Sequence, residues 1–182
     1  MTVLVMYRDK DYYYITADGR ATGQIEIYSD NMHKVVEEAE YIYGGCGNAE
    51  DELPFREILK DSQCDPWVMM QLSRQDPYKS MFAHFGYLVA SRAHGLYHVE
   101  RQPHTDDNIE ADADKRPKLA VTPLGSNDLP IYDGSGKYHV QGILAGVKKL
   151  TPKIVEAAIK KAYAVNMTIG GKVRTVKLRI HK

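Results

Sequence analysis

Three residues near the start of the chain carry groups that acid–base chemistry could use: the hydroxyl of Thr2, the carboxyl of Asp18 and the amine of Lys34, 16 and 32 residues further on. A threonine hydroxyl attacks poorly until a base takes its proton. An N-terminal threonine carries that base itself, an α-amine of pKa about 7.7 to 8.0. Only Met1 precedes Thr2, whose side chain is small enough for methionine removal, and that removal is expected because an acylated Thr2 has no free amine. Seen singly, Thr2 begins an edge strand, Asp18 is a turn aspartate before Gly19, and Lys34 is a solvated strand residue. Gly44-Gly45-Cys46-Gly47, read as a tight turn before a helix, could present the N–H groups of Cys46 and Gly47 to a developing oxyanion. A phosphate loop is excluded there, since no Gly-Lys-Ser/Thr follows. His94 and His98 have the even spacing of one strand face, but no Cys/His cluster completes a metal site. The acidic run 106–114 lacks the glycine and closing glutamate of a calcium loop. No metal and no cofactor is expected.

The elements that must position these groups are legible in the hydrophobic pattern. The 182 residues suit one domain, at 43% hydrophobic and 26% charged. Lys+Arg 24 against Asp+Glu 24 leaves no positive field to attract nucleic acid, and the 13 tyrosines sit mostly in strand patterns. No apolar run spans a bilayer, so no membrane role is expected, and two cysteines without a signal-like start point to a reducing cytoplasm. Residues 2–7 and 12–16 read as a hairpin, followed by short strands at 25–28, 34–36 and 41–43. Helices are expected over 49–60 and from 66 to about 75, the second capped by Asp65-Pro66. A second hairpin (85–91 and 96–100) precedes an exposed insertion at 101–127 and a strand at 130–132. The helix expected at 138–150 carries Gly142 and Gly146, which would let another element pack closely. Thr151-Pro152 opens the next helix, and 173–180 alternates as a closing strand. Grouped runs of strands and helices predict an α+β chain whose helices lie outside antiparallel sheets, a four-layer αββα sandwich over residues 1–182.

Thr2-Val3-Leu4-Val5, Ala17-Asp18-Gly19-Arg20-Ala21-Thr22, Ser29-Asp30-Asn31-Met32-His33-Lys34-Val35, Gly44-Gly45-Cys46-Gly47 and Asp133-Gly134-Ser135-Gly136 follow one another in a set order. In order and spacing the set resembles the proteasome β-type and HslV-like peptidases, a family of N-terminal nucleophile hydrolases. The resemblance implies a threonine peptidase that cuts through an acyl-enzyme on Thr2. A buried Lys34 ammonium would keep the Thr2 amine neutral and lower the hydroxyl pKa, and Asp18 would offset the cost of burying it. Ser135 would relay a proton near the amine. An extended polypeptide substrate would pair as an added strand beside Thr22 and Gly47. The resemblance also implies a homo-oligomeric ring and a possible ATP-dependent unfoldase as partner. Asn166 and Ile169 depart from it, standing where the family has an aspartate and a serine before the double glycine. A second reading is therefore a non-catalytic ring or structural subunit with an unprocessed N-terminus, and a third is amide hydrolysis of a small molecule on the same fold.

Overall fold

Two antiparallel sheets face each other, and the first strand is apolar on both sides, with Leu4 and Met6 in one core cluster and Val5 and Tyr7 in another. A computed structural model describes residues 2–22, 26–47, 52–75, 85–101 and 119–180. In chain order the strands are β1 (Leu4–Arg8), β2 (Tyr12–Ala17), β3 (Ala21–Thr22), β4 (Ile27–Ser29), β5 (Val35–Glu37) and β6 (Tyr41–Gly47). Helices α1 (Glu52–Asp61) and α2 (Pro66–Leu72) follow, then β7 (Phe85–Ser91), β8 (Gly95–Arg101), β9 (Leu119–Leu124) and β10 (Ile131–Asp133). Helices α3 (Lys137–Leu144) and α4 (Pro152–Ala162) and strand β11 (Arg174–Arg179) complete the described chain. One sheet has the order β10-β1-β2-β11, the other β5-β6-β7-β8-β9, and β3 pairs with β4 in a short ribbon. Every pairing is antiparallel.

The strand period of two decides what each layer touches. Leu4 and Met6 of β1, with Ile15 of β2, meet Ile42, Leu88 and Leu96 of the other sheet. Val3, Val5 and Tyr7 point the opposite way, onto Val140 of α3 and Val155 and Ile159 of α4. On the far side, Phe55 and Ile58 of α1 and Met69 of α2 cover Tyr43, Val89, Tyr97 and Val99. The layers are therefore helix, sheet, sheet, helix, as expected. Asp65 caps α2 by accepting the N–H groups of Trp67 and Val68, and Thr151 caps α4 through Ile154.

Four expectations change. The segment 44–47 is no turn: β6 runs through it, and the glycines are there for close approach. A Cβ on Gly44 would stand 2.8 Å from Ile15 Cγ2 across the sheets, and one on Gly45 would enter the Tyr87 ring. The helix expected over 138–150 stops at Leu144, and no atom lies within 4 Å of a Cβ added at Gly142 or Gly146, so neither glycine serves packing inside the chain. Gly146 instead makes a turn at φ 82°. The end of the expected insertion, 119–124, is strand β9 on β8, with Leu119 fully buried, while 102–118 lies outside the described residues. His94 sits in the β7–β8 turn, off the strand face that carries His98. Among the described residues no helix is long and apolar enough to cross a membrane.

Candidate active site

Asp18 directly follows β2 and is 1% exposed. Its Oδ1 accepts the Val3 N–H and the Lys34 ammonium, both at 3.0 Å; its Oδ2 accepts the N–H groups of Gly170 at 3.2 Å and Arg20 at 3.3 Å. A buried carboxylate persists only where donors surround it, and four do so here. Gly19 makes the loop possible, since a Cβ there would stand 2.5 Å from the Lys172 carbonyl. Arg20 holds the loop from outside: its guanidinium grips both Asp30 oxygens, at 2.6 and 3.0 Å, and donates to the Met167 carbonyl at 2.7 Å.

The Lys34 side chain is 9% exposed and also donates to the Arg20 carbonyl at 2.5 Å. Burial pulls its ammonium below the ordinary 10.5, while the neighbouring Asp18 charge opposes that shift. Thr2 begins beside this pair, 5% exposed, with its carbonyl accepting the Gly136 N–H at 3.1 Å. Thr2 and Lys34 line one cavity of about 280 Å³ with Thr22, Cys46, Gly47 and other residues of β3, β6 and the loop before β5. A buried amine and a hydroxyl thus line one cavity, an arrangement that could activate a weak nucleophile.

The architecture around that cavity is similar to two solved structures. Eukaryotic HslV from Trypanosoma brucei matches at TM-score 0.66 and 13% identity, over 97% of this chain and 99% of that one. Thiobacillus denitrificans BPH in complex with epoxomicin matches at TM-score 0.67 and 14% identity, over 100% of both chains. The chain has the HslV-type fold. No family model matches the sequence, and no curated protein does. The expected four-layer αββα architecture is the observed one.

Within this HslV-type fold the remaining expected residues fall unequally. Gly45 donates to the Lys34 carbonyl on the β5 side at 2.8 Å, and strand alternation then turns the Gly47 N–H to that same open side. Cys46 was expected as a second oxyanion donor, but alternation turns its N–H towards β7, where it pairs with Gly86, and leaves its side chain in the cavity wall. Gly47 has φ 121°, a backbone that favours glycine. Thr22 faces the cavity from β3. Ser135 is exposed in the β10–α3 turn and does not line the cavity; Gly136 instead donates its N–H to the Thr2 carbonyl, and a Cβ on Gly134 would clash with that carbonyl.

Several residues of the site escape sequence reading. Asp133 of β10 accepts the Cys46 thiol at 3.3 Å, lies 3.2 Å from His98 Nε2 of β8 and accepts the Gly134 N–H at 2.6 Å. Gly86 leaves room for this meeting, since a Cβ there would stand 2.8 Å from Asp133 Oδ2. Burial pushes the Cys46 thiol far above its ordinary value, and it stays protonated. Burial would raise Asp133 too, but the hydrogen bonds from His98 and Gly134 hold it below the usual carboxylate range. Among the described residues no three such side chains are set to hold a metal ion. The departures at 166 and 169 have a physical outcome as well. Asn166 turns on itself, its Oδ1 accepting from Thr168 N at 3.0 Å and from Thr168 Oγ1 at 2.5 Å. Ile169 is fully buried against Val3 and Gly136, so apolar packing holds the closing loop there, and the neighbouring Gly170 N–H reaches Asp18.

Proposed function

We propose that this chain is a threonine peptidase, acting through Thr2 once Met1 is removed. The observation that carries this reading is the shared cavity of Thr2 and a buried Lys34 anchored on Asp18. The Thr2 hydroxyl attacks a peptide carbonyl while its own α-amine takes the proton. The new C–O bond forms, the C–N bond breaks, and the proton passes to the departing amine, leaving an ester on Thr2. Water, deprotonated by the same amine, then hydrolyses the ester and restores the hydroxyl. Lys34 keeps the amine neutral by like-charge repulsion, and Asp18 fixes Lys34. The Gly47 N–H receives the oxyanion, and a substrate strand lies between Thr22 and Gly47. Ser135 is given no step. The substrate is polypeptide, the likeness to HslV supports a homo-oligomeric ring, and an ATP-dependent unfoldase is the partner such a ring would use. Idle scaffolding has no use for a buried ion pair at this point, because such a pair seldom adds net stability.

The test is peptide hydrolysis by untagged protein whose intact mass is known. Material lacking Met1 hydrolyses peptides, Thr2→Ser retains part of that activity, and folded Thr2→Ala retains none. Equal turnover by Thr2→Ala, or turnover by material that keeps Met1, overturns the reading.

A further inference from the structure

The cavity beside Thr2 contains two polar groups that the hydrolytic steps leave unused. Tyr43, on β6, is 1% exposed, and its hydroxyl is buried with no hydrogen-bond partner. Glu52, the first residue of α1, lines the same cavity, and its carboxylate has no hydrogen bond or ion pair among the described residues. The two belong together: Glu52 is the foremost charge acting on the Tyr43 hydroxyl. Burial raises the Glu52 carboxyl above its ordinary value, opposed by Arg56 and His33. Arg56 is engaged elsewhere, by Glu38 at 2.7 Å. The cations nearer Thr2 are engaged as well, Lys34 by Asp18 and Arg20 by Asp30. Arg56, Lys34 and Arg20 are thus each held by another carboxylate, and His33 is the further basic side chain in the cavity wall.

We propose that this cavity selects a substrate with arginine or lysine at the residue whose carbonyl Thr2 attacks, Glu52 pairing the cation and the Tyr43 hydroxyl accepting one of its N–H groups. Met32 and Tyr87 supply apolar wall for the methylene stem of such a side chain. An aliphatic side chain would expel water and leave both polar groups unpaired, and an acidic one would set like charge against Glu52. This selectivity rests on Thr2 being the nucleophile.

The experiment compares kcat/KM for three peptides differing only in that residue (arginine, leucine or glutamate), with the parent and with Glu52→Gln. The parent favours arginine over leucine at least tenfold, glutamate is the poorest, and Glu52→Gln lowers the arginine-to-leucine ratio at least tenfold. A merely structural role for Glu52 would lower both rates together and leave that ratio alone. A parent that prefers leucine or glutamate, or a ratio unmoved by Glu52→Gln, overturns the proposal. If no peptide is hydrolysed, the reading of Thr2 as nucleophile fails by itself. The pocket is then judged on the Kd of the corresponding peptide amides, with the same tenfold criterion in each direction.

Discussion

Removing either member of a buried ion pair costs more than the bond it made, because the charge left behind has no water to turn to. At Asp18 and Lys34, whose side chains are 0% and 9% exposed, that cost is about 3 to 5 kcal/mol for either single truncation. Asp18→Asn is therefore expected to lower stability by that amount, read from denaturant unfolding. Lys34→Ala, in whatever fraction stays folded, loses turnover by about a hundredfold or more, as general-base catalysis requires. The same lysine fixes the direction of a pH effect. Its pKa in the folded chain lies below the 10.5 of the unfolded chain. Between those values the unfolded chain holds a proton that the folded chain has released, so this group's contribution to stability rises with pH across that window and is unchanging below it. Unfolding free energies of the parent, minus those of Lys34→Met, should rise with pH as 10.5 is approached; a flat difference would mean that Lys34 is not desolvated.

Among the elements, glycines separate into those that let layers meet and those that face open space. Gly44 packs against the facing sheet, and a Cβ there would be 2.8 Å from Ile15 Cγ2 and 3.2 Å from Leu4 Cδ2. Gly44→Ala should destabilise by about 1 to 3 kcal/mol through overpacking. Gly142, inside α3 with nothing within 4 Å of its would-be Cβ, should behave oppositely, Gly142→Ala gaining about 0.5 to 1 kcal/mol from helix propensity. Midpoints of thermal or denaturant unfolding would separate the two signs. These same residues show what a sequence can and cannot disclose. The β1–β2 hairpin and the caps Asp65 and Thr151 were legible because local chemistry makes them. Four glycine-and-cysteine residues at 44–47 read as a turn, because the reason for their smallness, Ile15 and Tyr87, lies on other strands. At the site, Thr2, Asp18 and Lys34 were legible as an ordered set. Asp133 with His98 was not, since 35 residues separate them and only the pairing of separate sheets brings them to 3.2 Å. Glu52 and Tyr43 carry no motif at all, and only the folded chain brings them to one cavity.

For the molecule as a whole, the outer helices are not finished surfaces. Leu53 of α1 is 71% exposed and Trp67 of α2 is 64% exposed, on the layer away from the sheets. Closed rings bury such residues against the next copy. Sedimentation of the parent should give a multiple of 20.6 kDa, and the double variant Leu53→Glu, Trp67→Glu should shift towards that monomer mass while keeping its circular dichroism. A parent that sediments as a monomer while hydrolysing peptides would remove the ring from the proposed function.

The four donors on Asp18 also impose an order in time. Val3, Arg20 and Lys34 leave the ribosome early, but Gly170 belongs to the last stretch of a 182-residue chain. Until that stretch has been made and folded back, the carboxylate lacks one of its four donors. If Thr2 is the nucleophile proposed above, a growing chain carries it from early in synthesis, before the fourth donor that fixes Asp18 exists.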